Sequence, residues 1–160
     1  MERLLTDLRP HVRTFLSGGA VEALASGQAC LALTYSGDVV QAGVRAREAG
    51  RPEVRYVAPK EFAQLSFDVL AIPADAPHPD DAHRLVAFLL QPDVMAAITN
   101  RVRYPNAVPA SLPMVWPEVR DDRNVFPTAE DQARMFTVRA TPQAAERART
   151  RMWTRFKAGG

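Results

Sequence analysis

Residues 29–49 read ACLALTYSGDVVQAGVRAREA, and this stretch decides the predicted fold class. Its first seven residues form an apolar run with a threonine and a tyrosine, which is typical of a β-strand. Ser36-Gly37-Asp38 interrupts the run, and residues 39–49 have a helical composition that ends at Gly50. A strand, a tight turn and a helix are the repeating unit of α/β proteins, and the turn projects side chains from the end of the strand.

Strands and helices continue to alternate along the rest of the chain. We predict further strands at residues 53–58 and 67–73, and helices at 20–25, from Pro79 onward, and at 94–102, 128–135 and 142–156. This order favours an α/β fold over an all-α or all-β fold. Three or four strands are few for so many helices, so we expect an incomplete architecture.

Composition excludes several classes of protein. The 160 residues are 47% hydrophobic and 24% charged, which is average for a soluble globular chain of one domain or a piece of a larger protein. The longest uncharged apolar stretches, residues 69–74 and 85–90, are far shorter than the roughly 20 residues of a membrane-spanning helix. The single cysteine, Cys30, excludes an internal disulfide and a multi-cysteine zinc site.

The charge distribution raises a second class of function, that of a nucleic-acid or acidic-partner module. Residues 141–160 contain five basic residues and one acidic residue, Glu146. A run of this kind is more often a solvated helix face, so we expect no nucleic-acid partner. The first ten residues, MERLLTDLRP, show no signal peptide, which taken literally indicates a cytoplasmic chain.

Motifs for catalysis, metals and cofactors are not found in the sequence. It has no phosphate-binding glycine loop, zinc-ligand spacing or nucleophile elbow. His78 and His83 have no third ligand nearby, so they are expected on the surface. We therefore expect no metal, no cofactor and no enzymatic activity.

Carboxylates and aromatic residues follow the predicted strands. Asp38 follows Tyr35 across the tight turn, Asp68 lies inside an apolar strand, and Tyr104 begins a loop with proline. Asp38 could equally be a helix cap, Asp68 the partner of an arginine, and both tyrosines packing residues. From the residues alone, the prediction is an acidic, aromatic-lined patch on an α/β scaffold, since a buried acid needs a cation or several donors.

Several collinear motifs resemble the polyamine-binding periplasmic proteins, in particular the putrescine-binding kind. They are Asp7-Leu8-Arg9-Pro10, Gly27-Gln28-Ala29-Cys30, Gly37-Asp38-Val39, Gln41-Ala42, Phe67 to Ala76, Pro92-Asp93-Val94, Tyr104-Pro105-Asn106-Ala107 and Arg149 to Arg155. The resemblance covers essentially the whole chain and corresponds to the C-terminal half of such a protein.

The resemblance implies a two-lobe fold like that of type II periplasmic binding proteins, of which only the C-terminal portion is present. Residues 1–48 would be part of the second lobe, 49–98 part of the first, and 99–160 a return to the second with the C-terminal helices. It also implies a periplasmic, monomeric receptor that binds putrescine or spermidine between its lobes. The partners would be the permease and the ATPase of an ABC importer.

The resemblance also assigns roles to individual residues. The ligand-binding positions are Tyr35, Asp38, Asp68 and Tyr104. Asp38 and Asp68 would bind ammonium groups, while the two tyrosines would form aromatic walls, with Tyr35 at a position usually occupied by tryptophan. Ser66 stands where relatives carry an aromatic residue, and Cys30 matches a cysteine that pairs outside this chain.

The thinned wall at Ser66 leaves alternatives open. The ligand could be another cationic amine, or the chain could be a truncated fragment that does not bind. Because part of the site would lie outside these 160 residues, we expect the isolated chain to bind weakly or not at all.

Overall fold

The computed structural model describes residues 2–59, 61 and 63–159, and within them the chain is helix-rich with one small sheet. The α-helices are α1 Glu2–Leu8, α2 Ala20–Ala25, α3 Ser36–Glu48, α4 Pro79–Leu89, α5 Pro92–Val102, α6 Pro117–Arg120, α7 Ala129–Ala133 and α8 Gln143–Ala158. Short 3-10 helices span Arg9–His11 and Pro109–Met114. The strands β1 Ala63–Gln64 and β2 Met135–Phe136 pair in parallel.

The chain divides into two compact units, and the smaller one joins the two ends of the chain. It comprises Met1–Gly19 and Val138–Gly160. Phe15 packs edge-on against Trp153 and Phe156, with ring centroids 5.6 and 5.2 Å apart. Edge-to-face packing suits the quadrupoles of aromatic rings, so this cluster is the apolar contact between the first residues and α8.

The larger unit, Ala20–Thr137, contains a first core between α2 and α3. Its buried side chains are Leu24, Ala25, Val39 and Ala42. Alanines at positions 42 and 46 of α3 are fully buried, so the helix backbone lies close to its neighbours. Helix α2 ends at the predicted Ser26-Gly27, where glycine takes a φ of 75° that side chains rarely adopt.

A second core of the same unit lies between α5 and the segment that follows it. Ala96 of α5 packs with Val115, Val119 and Val125, each at most 2% exposed. Helix α5 also packs against the 3-10 helix 109–114 and against α4. This core holds the end of α5 in place, and Tyr104 follows that end directly.

The prediction of strands at residues 29–35, 53–58 and 67–73 is wrong. All three segments are described, and none of them forms a ladder with another segment. Exposure nevertheless alternates over residues 31–35, where Ala32 packs on the first core and Leu33 is fully exposed. A strand requires a neighbour to exchange hydrogen bonds with, and these segments have none in the part of the chain described here.

The predicted helices are present, with one shift that matters. Ser36-Gly37-Asp38, predicted as a turn before the helix, is the first turn of α3 itself. The helix-rich architecture with a small parallel sheet fits an α/β class. No helix among the described residues combines the length and the apolar character needed to cross a membrane. The assignment of residues 1–48, 49–98 and 99–160 to two lobes stays a prediction.

Candidate functional site

The start of α3 places Asp38 within reach of two hydroxyl groups. Asp38 is the third residue of α3, where a carboxylate interacts favourably with the helix dipole. Its Oδ2 accepts a hydrogen bond from Thr34 Oγ1 at 2.9 Å, and its Oδ1 accepts one from Tyr104 Oη at 3.0 Å. The structure therefore joins two of the predicted site residues, Asp38 and Tyr104, which are 66 positions apart.

Tyr104 is directed to this position by the way α5 ends. Arg103, the C-terminal cap of α5, has φ 61° and ψ 31°, a left-handed conformation that is uncommon outside glycine. Its backbone N–H donates to Thr99 O, and its guanidinium lies 5.6 Å from the centre of the Trp116 ring. The left-handed residue ends the helix and turns the chain immediately before Tyr104.

A buried polar network anchors the loop after Tyr104. Asn106 Nδ2 donates to Thr99 Oγ1 at 2.9 Å and to Ser111 Oγ at 3.0 Å, and its Oδ1 accepts from the Val108 N–H at 2.8 Å. Thr99 is 1% exposed and Ser111 is fully buried. Because buried polar groups are costly unless paired, this network fixes the loop against α5.

The surroundings of Tyr104 favour its protonated form. Burial, the hydrogen bond to Asp38 and the charge of Asp38 raise the pKa of Tyr104 from 10.0 to about 12. The charge of Asp68 raises the pKa further, as a smaller contribution. Both predicted carboxylates thus act on the same phenol, and a tyrosinate here would be a third negative charge.

Neither carboxylate of the candidate site is neutralised within the described residues. Neither Asp38 nor Asp68 forms an ion pair with an arginine or lysine there, although this part of the chain contains several surface ion pairs. The arginine partner considered for Asp68 is therefore not found. Asp68 is exposed, and Asp38 is half-buried.

The other predicted positions lie on the surface. Tyr35 is the N-cap residue of α3 and is 63% exposed. Ser66 is exposed and its Oγ accepts from Gln64 Nε2 at 2.9 Å. Cys30 is exposed with a free thiol. The described residues contain no group of three or more metal-ligating side chains placed to hold an ion.

A groove of the larger unit lies elsewhere. It has a volume of about 750 Å³ and runs between α3 and α5, with Gln41, Arg45, Asn100 and Trp116 among its lining. None of the predicted site residues lines it. The Asp38–Tyr104 cluster therefore lies outside this groove.

Sequence reasoning missed three residues that build this arrangement, namely Thr34, Gly37 and Asn106. The sequence pattern predicts a strand at Thr34 and a turn at Gly37, and Asn106 stands only within a motif. The spacing Thr34–Asp38 is four residues, which brings side chains together if the helix begins between them. The contact of Asn106 with Thr99 and Ser111 depends on tertiary packing, so no sequence pattern could have revealed it.

The profile of the bacterial extracellular solute-binding proteins matches residues 3–127. The putrescine-binding periplasmic protein PotF of Escherichia coli strain K12 is 43% identical over 157 residues, which are 98% of this chain and 42% of that protein. The putrescine-binding periplasmic protein SpuD of Pseudomonas aeruginosa strain UCBPP-PA14 is 40% identical over 99% of this chain and 43% of its own length.

A more distant relative, the spermidine/putrescine-binding periplasmic protein of Escherichia coli strain K12, is 34% identical over 79% of this chain and 35% of its length. The chain thus spans less than half the length of these curated relatives. All three relatives are named as periplasmic proteins that bind putrescine or spermidine. With the profile match over most of its residues, the chain belongs to the family of bacterial extracellular solute-binding proteins.

Proposed function

We propose that this chain supplies the acidic and aromatic part of a polyamine-binding cleft in a periplasmic receptor of an ABC importer. The observation that carries the proposal is the Asp38–Tyr104 cluster. In this cluster the carboxylate of Asp38 lies between the neutral hydroxyl groups of Thr34 and Tyr104. Asp68 is close enough that its charge, like that of Asp38, raises the pKa of Tyr104. Relatives of this chain are named as putrescine-binding and spermidine/putrescine-binding proteins, which supports the same ligand class.

The chemistry of a polyamine matches these groups. Each end of putrescine is an ammonium that needs an anionic acceptor once it leaves water, and the stem between them is apolar. Asp38 and Asp68 offer two carboxylates that no cation of the described chain neutralises. Aromatic faces attract cations by about 0.5–2 kcal/mol, so Tyr35 and Tyr104 would bind an ammonium and cover the stem.

The proposal extends to the architecture of the receptor. Two lobes would close over the ligand, with residues 1–48 and 99–160 in one lobe and 49–98 in the other. The receptor would act as a monomer and deliver the amine to the permease and ATPase subunits. Cys30 would form a disulfide with a cysteine outside this chain, which its exposed thiol permits.

A second candidate ligand is a cationic amine other than putrescine or spermidine. It is favoured by Ser66, whose hydroxyl is engaged by Gln64 and offers no ring to an apolar stem. Cadaverine and agmatine differ from putrescine in length or charge, so a panel of these amines beside putrescine and spermidine distinguishes the candidates.

The test is a chimera in which this chain replaces the matching 157-residue segment of PotF from Escherichia coli. We expect isothermal titration to show putrescine or spermidine binding by the chimera. Asp38→Asn and Asp68→Asn should each weaken the affinity by about tenfold or more, because hydrogen bonds to charged groups are worth about 1.5–3 kcal/mol. The matched control is Asp75→Asn, an exposed carboxylate outside the cluster, which should leave the affinity unchanged.

Two results would contradict the proposal. If the chimera unfolds cooperatively on heating, and is therefore folded, but binds no amine, the proposed polyamine binding would be contradicted. An unchanged affinity in Asp68→Asn would remove Asp68 from the site while leaving Asp38 in it. The isolated 160-residue chain, titrated in parallel, should bind weakly or not at all.

A further inference from the structure

The contact between Asp38 and Tyr104 depends on a residue without a side chain. The ring of Tyr104 lies directly over Gly37. A Cβ atom at this position would lie less than 3.0 Å from three ring carbons, which is closer than real Cβ atoms come to a neighbouring atom. Gly37 is buried in the first turn of α3 and does not have a positive φ. The requirement at this position is therefore space for the ring and not backbone freedom.

Thr34 completes the coordination of the carboxylate. It stands two residues before α3. Its hydroxyl donates a hydrogen bond to Oδ2 of Asp38, while the hydroxyl of Tyr104 donates one to Oδ1. Each carboxylate oxygen thus accepts a hydrogen bond from one neutral hydroxyl. Two contacts at the two oxygens fix the orientation of the carboxylate plane, and neither contact cancels its charge.

We propose that Gly37 and Thr34 are positioning residues of this site. Gly37 leaves the space that the ring of Tyr104 needs, and Thr34 fixes Oδ2 of Asp38 by a hydrogen bond. This inference rests on the proposed function, in which Asp38 receives an ammonium group. It deepens that function by assigning the orientation of the carboxylate to two residues that do not themselves carry charge.

The arrangement determines which amine the cluster accepts. A threonine or tyrosine hydroxyl has one proton, and both protons point at Asp38. The cluster therefore presents only acceptor lone pairs to a ligand. A primary ammonium, with three N–H donors, satisfies such a cluster, whereas a trimethylammonium group has no donor to offer it.

The first experiment needs no ligand. In the 160-residue chain with Tyr35→Phe and Tyr56→Phe, Tyr104 is the remaining tyrosine, and its ionisation is followed by ultraviolet absorbance. Gly37→Ala should displace the ring from Asp38 and lower the pKa of Tyr104 from about 12 toward 10.0. The control Gly18→Ala adds a Cβ with no atom within 4 Å and should leave that pKa unchanged.

A pKa of Tyr104 that stays near 12 in Gly37→Ala would overturn the role of Gly37. Circular dichroism at each pH verifies that the helices are intact. The substitution itself favours a helix, since alanine is the better helix former.

The second experiment measures the affinity of the PotF chimera for putrescine and for its bis-trimethylammonium analogue. We expect the chimera to prefer putrescine by about tenfold or more, as hydrogen bonds to charged groups predict. Gly37→Ala and Thr34→Val should reduce this preference, and Thr34→Ser, which restores the hydroxyl, should retain it. A preference unchanged in both Gly37→Ala and Thr34→Val would overturn the positioning roles. Failure of the unsubstituted chimera to bind any amine would instead contradict the proposed function, while the titration of Tyr104 still decides the positioning role of Gly37.

Discussion

Three influences raise the pKa of Tyr104 and outweigh a hydrogen bond with the Asp38 backbone that lowers it. Tyr104 is partly buried, it donates to Asp38, and it lies in the field of Asp38 and Asp68. Each of these disfavours a phenolate, because each either removes water from the charged form or places negative charge beside it. At neutral pH the residue is therefore a hydrogen-bond donor to Asp38 and carries no charge of its own.

This proton makes stability depend on pH in the alkaline range. Unfolded Tyr104 loses its proton near pH 10, whereas folded Tyr104 keeps it to about pH 12. The folded chain therefore binds more protons between these values, so its free energy of unfolding should fall as the pH rises from 10 to 12. Urea unfolding at several pH values measures this fall, and Tyr104→Phe should reduce it.

The comparison with Tyr104→Phe separates this residue from other groups that titrate in alkali. Those groups are present in both chains and cancel in the difference between them. If the two chains lost the same free energy between pH 10 and 12, the shifted pKa of Tyr104 would be refuted.

At the scale of elements, α5 and the loop after it act together to present Tyr104. The helix ends in a left-handed Arg103, and the loop is fixed by the network around Asn106. The network depends on the packing of α5 against the 3-10 helix 109–114, which contains Ser111. The position of the Tyr104 hydroxyl is thus a property of the α5–loop unit and not of the tyrosine alone.

Removing the amide of Asn106 should therefore be costly. Asn106→Ala leaves the hydroxyl of the buried Thr99 without its Nδ2 donor and frees the Val108 N–H. We expect the free energy of unfolding to fall by about 2 kcal/mol, the cost of leaving buried polar groups unpaired. Urea unfolding measures this change.

Asn124→Ala serves as the matched control, because Asn124 is exposed and should change stability by less than about 0.5 kcal/mol. Equal stabilities of Asn106→Ala and Asn124→Ala would show that the network is not structural. Asn106→Asp, which has the same shape but no N–H donors, should resemble Asn106→Ala.

At the scale of the whole molecule, the chain exposes apolar side chains in its extended segments. Leu31 and Leu33 are 92% and 102% exposed, and Phe67 and Val69 are 70% and 81% exposed. Leu33 alternates with Ala32, which packs on the first core, so residues 31–35 turn one face to the core and leave the other bare. In a two-lobe receptor, as proposed above, the bare face would be covered by a neighbouring strand.

A single substitution tests that expectation in two contexts. Leu33→Ala in the 160-residue chain should change the free energy of unfolding by less than about 0.5 kcal/mol, because the side chain makes little contact. In the PotF chimera the same substitution should cost about 2 kcal/mol or more, as for a buried leucine.

Leu24→Ala is the control that should destabilise both proteins, since Leu24 is 8% exposed in the first core. Equal effects of Leu33→Ala in the two proteins would argue against a covering strand. Thermal or urea unfolding of all four variants provides the comparison.

Local signals sufficed for the helices and for part of the site. Proline at the start of α4 and α5 and Ser26-Gly27 after α2 are encoded in a few adjacent residues, so the helix positions were predicted within a few residues. The strand positions were not predicted correctly, because a strand is completed by hydrogen bonds to a distant segment. Among the described residues only β1 and β2 form such a pair.

The sequence by itself determined that an acid follows an aromatic residue at the start of a helix, and that this pattern resembles polyamine-binding proteins. Only the tertiary structure decided that Tyr104 meets Asp38, that Thr34 shares the carboxylate, and that the ring needs a glycine beneath it. The reason is physical: composition and spacing act through neighbours along the chain, whereas a hydrogen bond across 66 residues depends on how α3 and the end of α5 are packed.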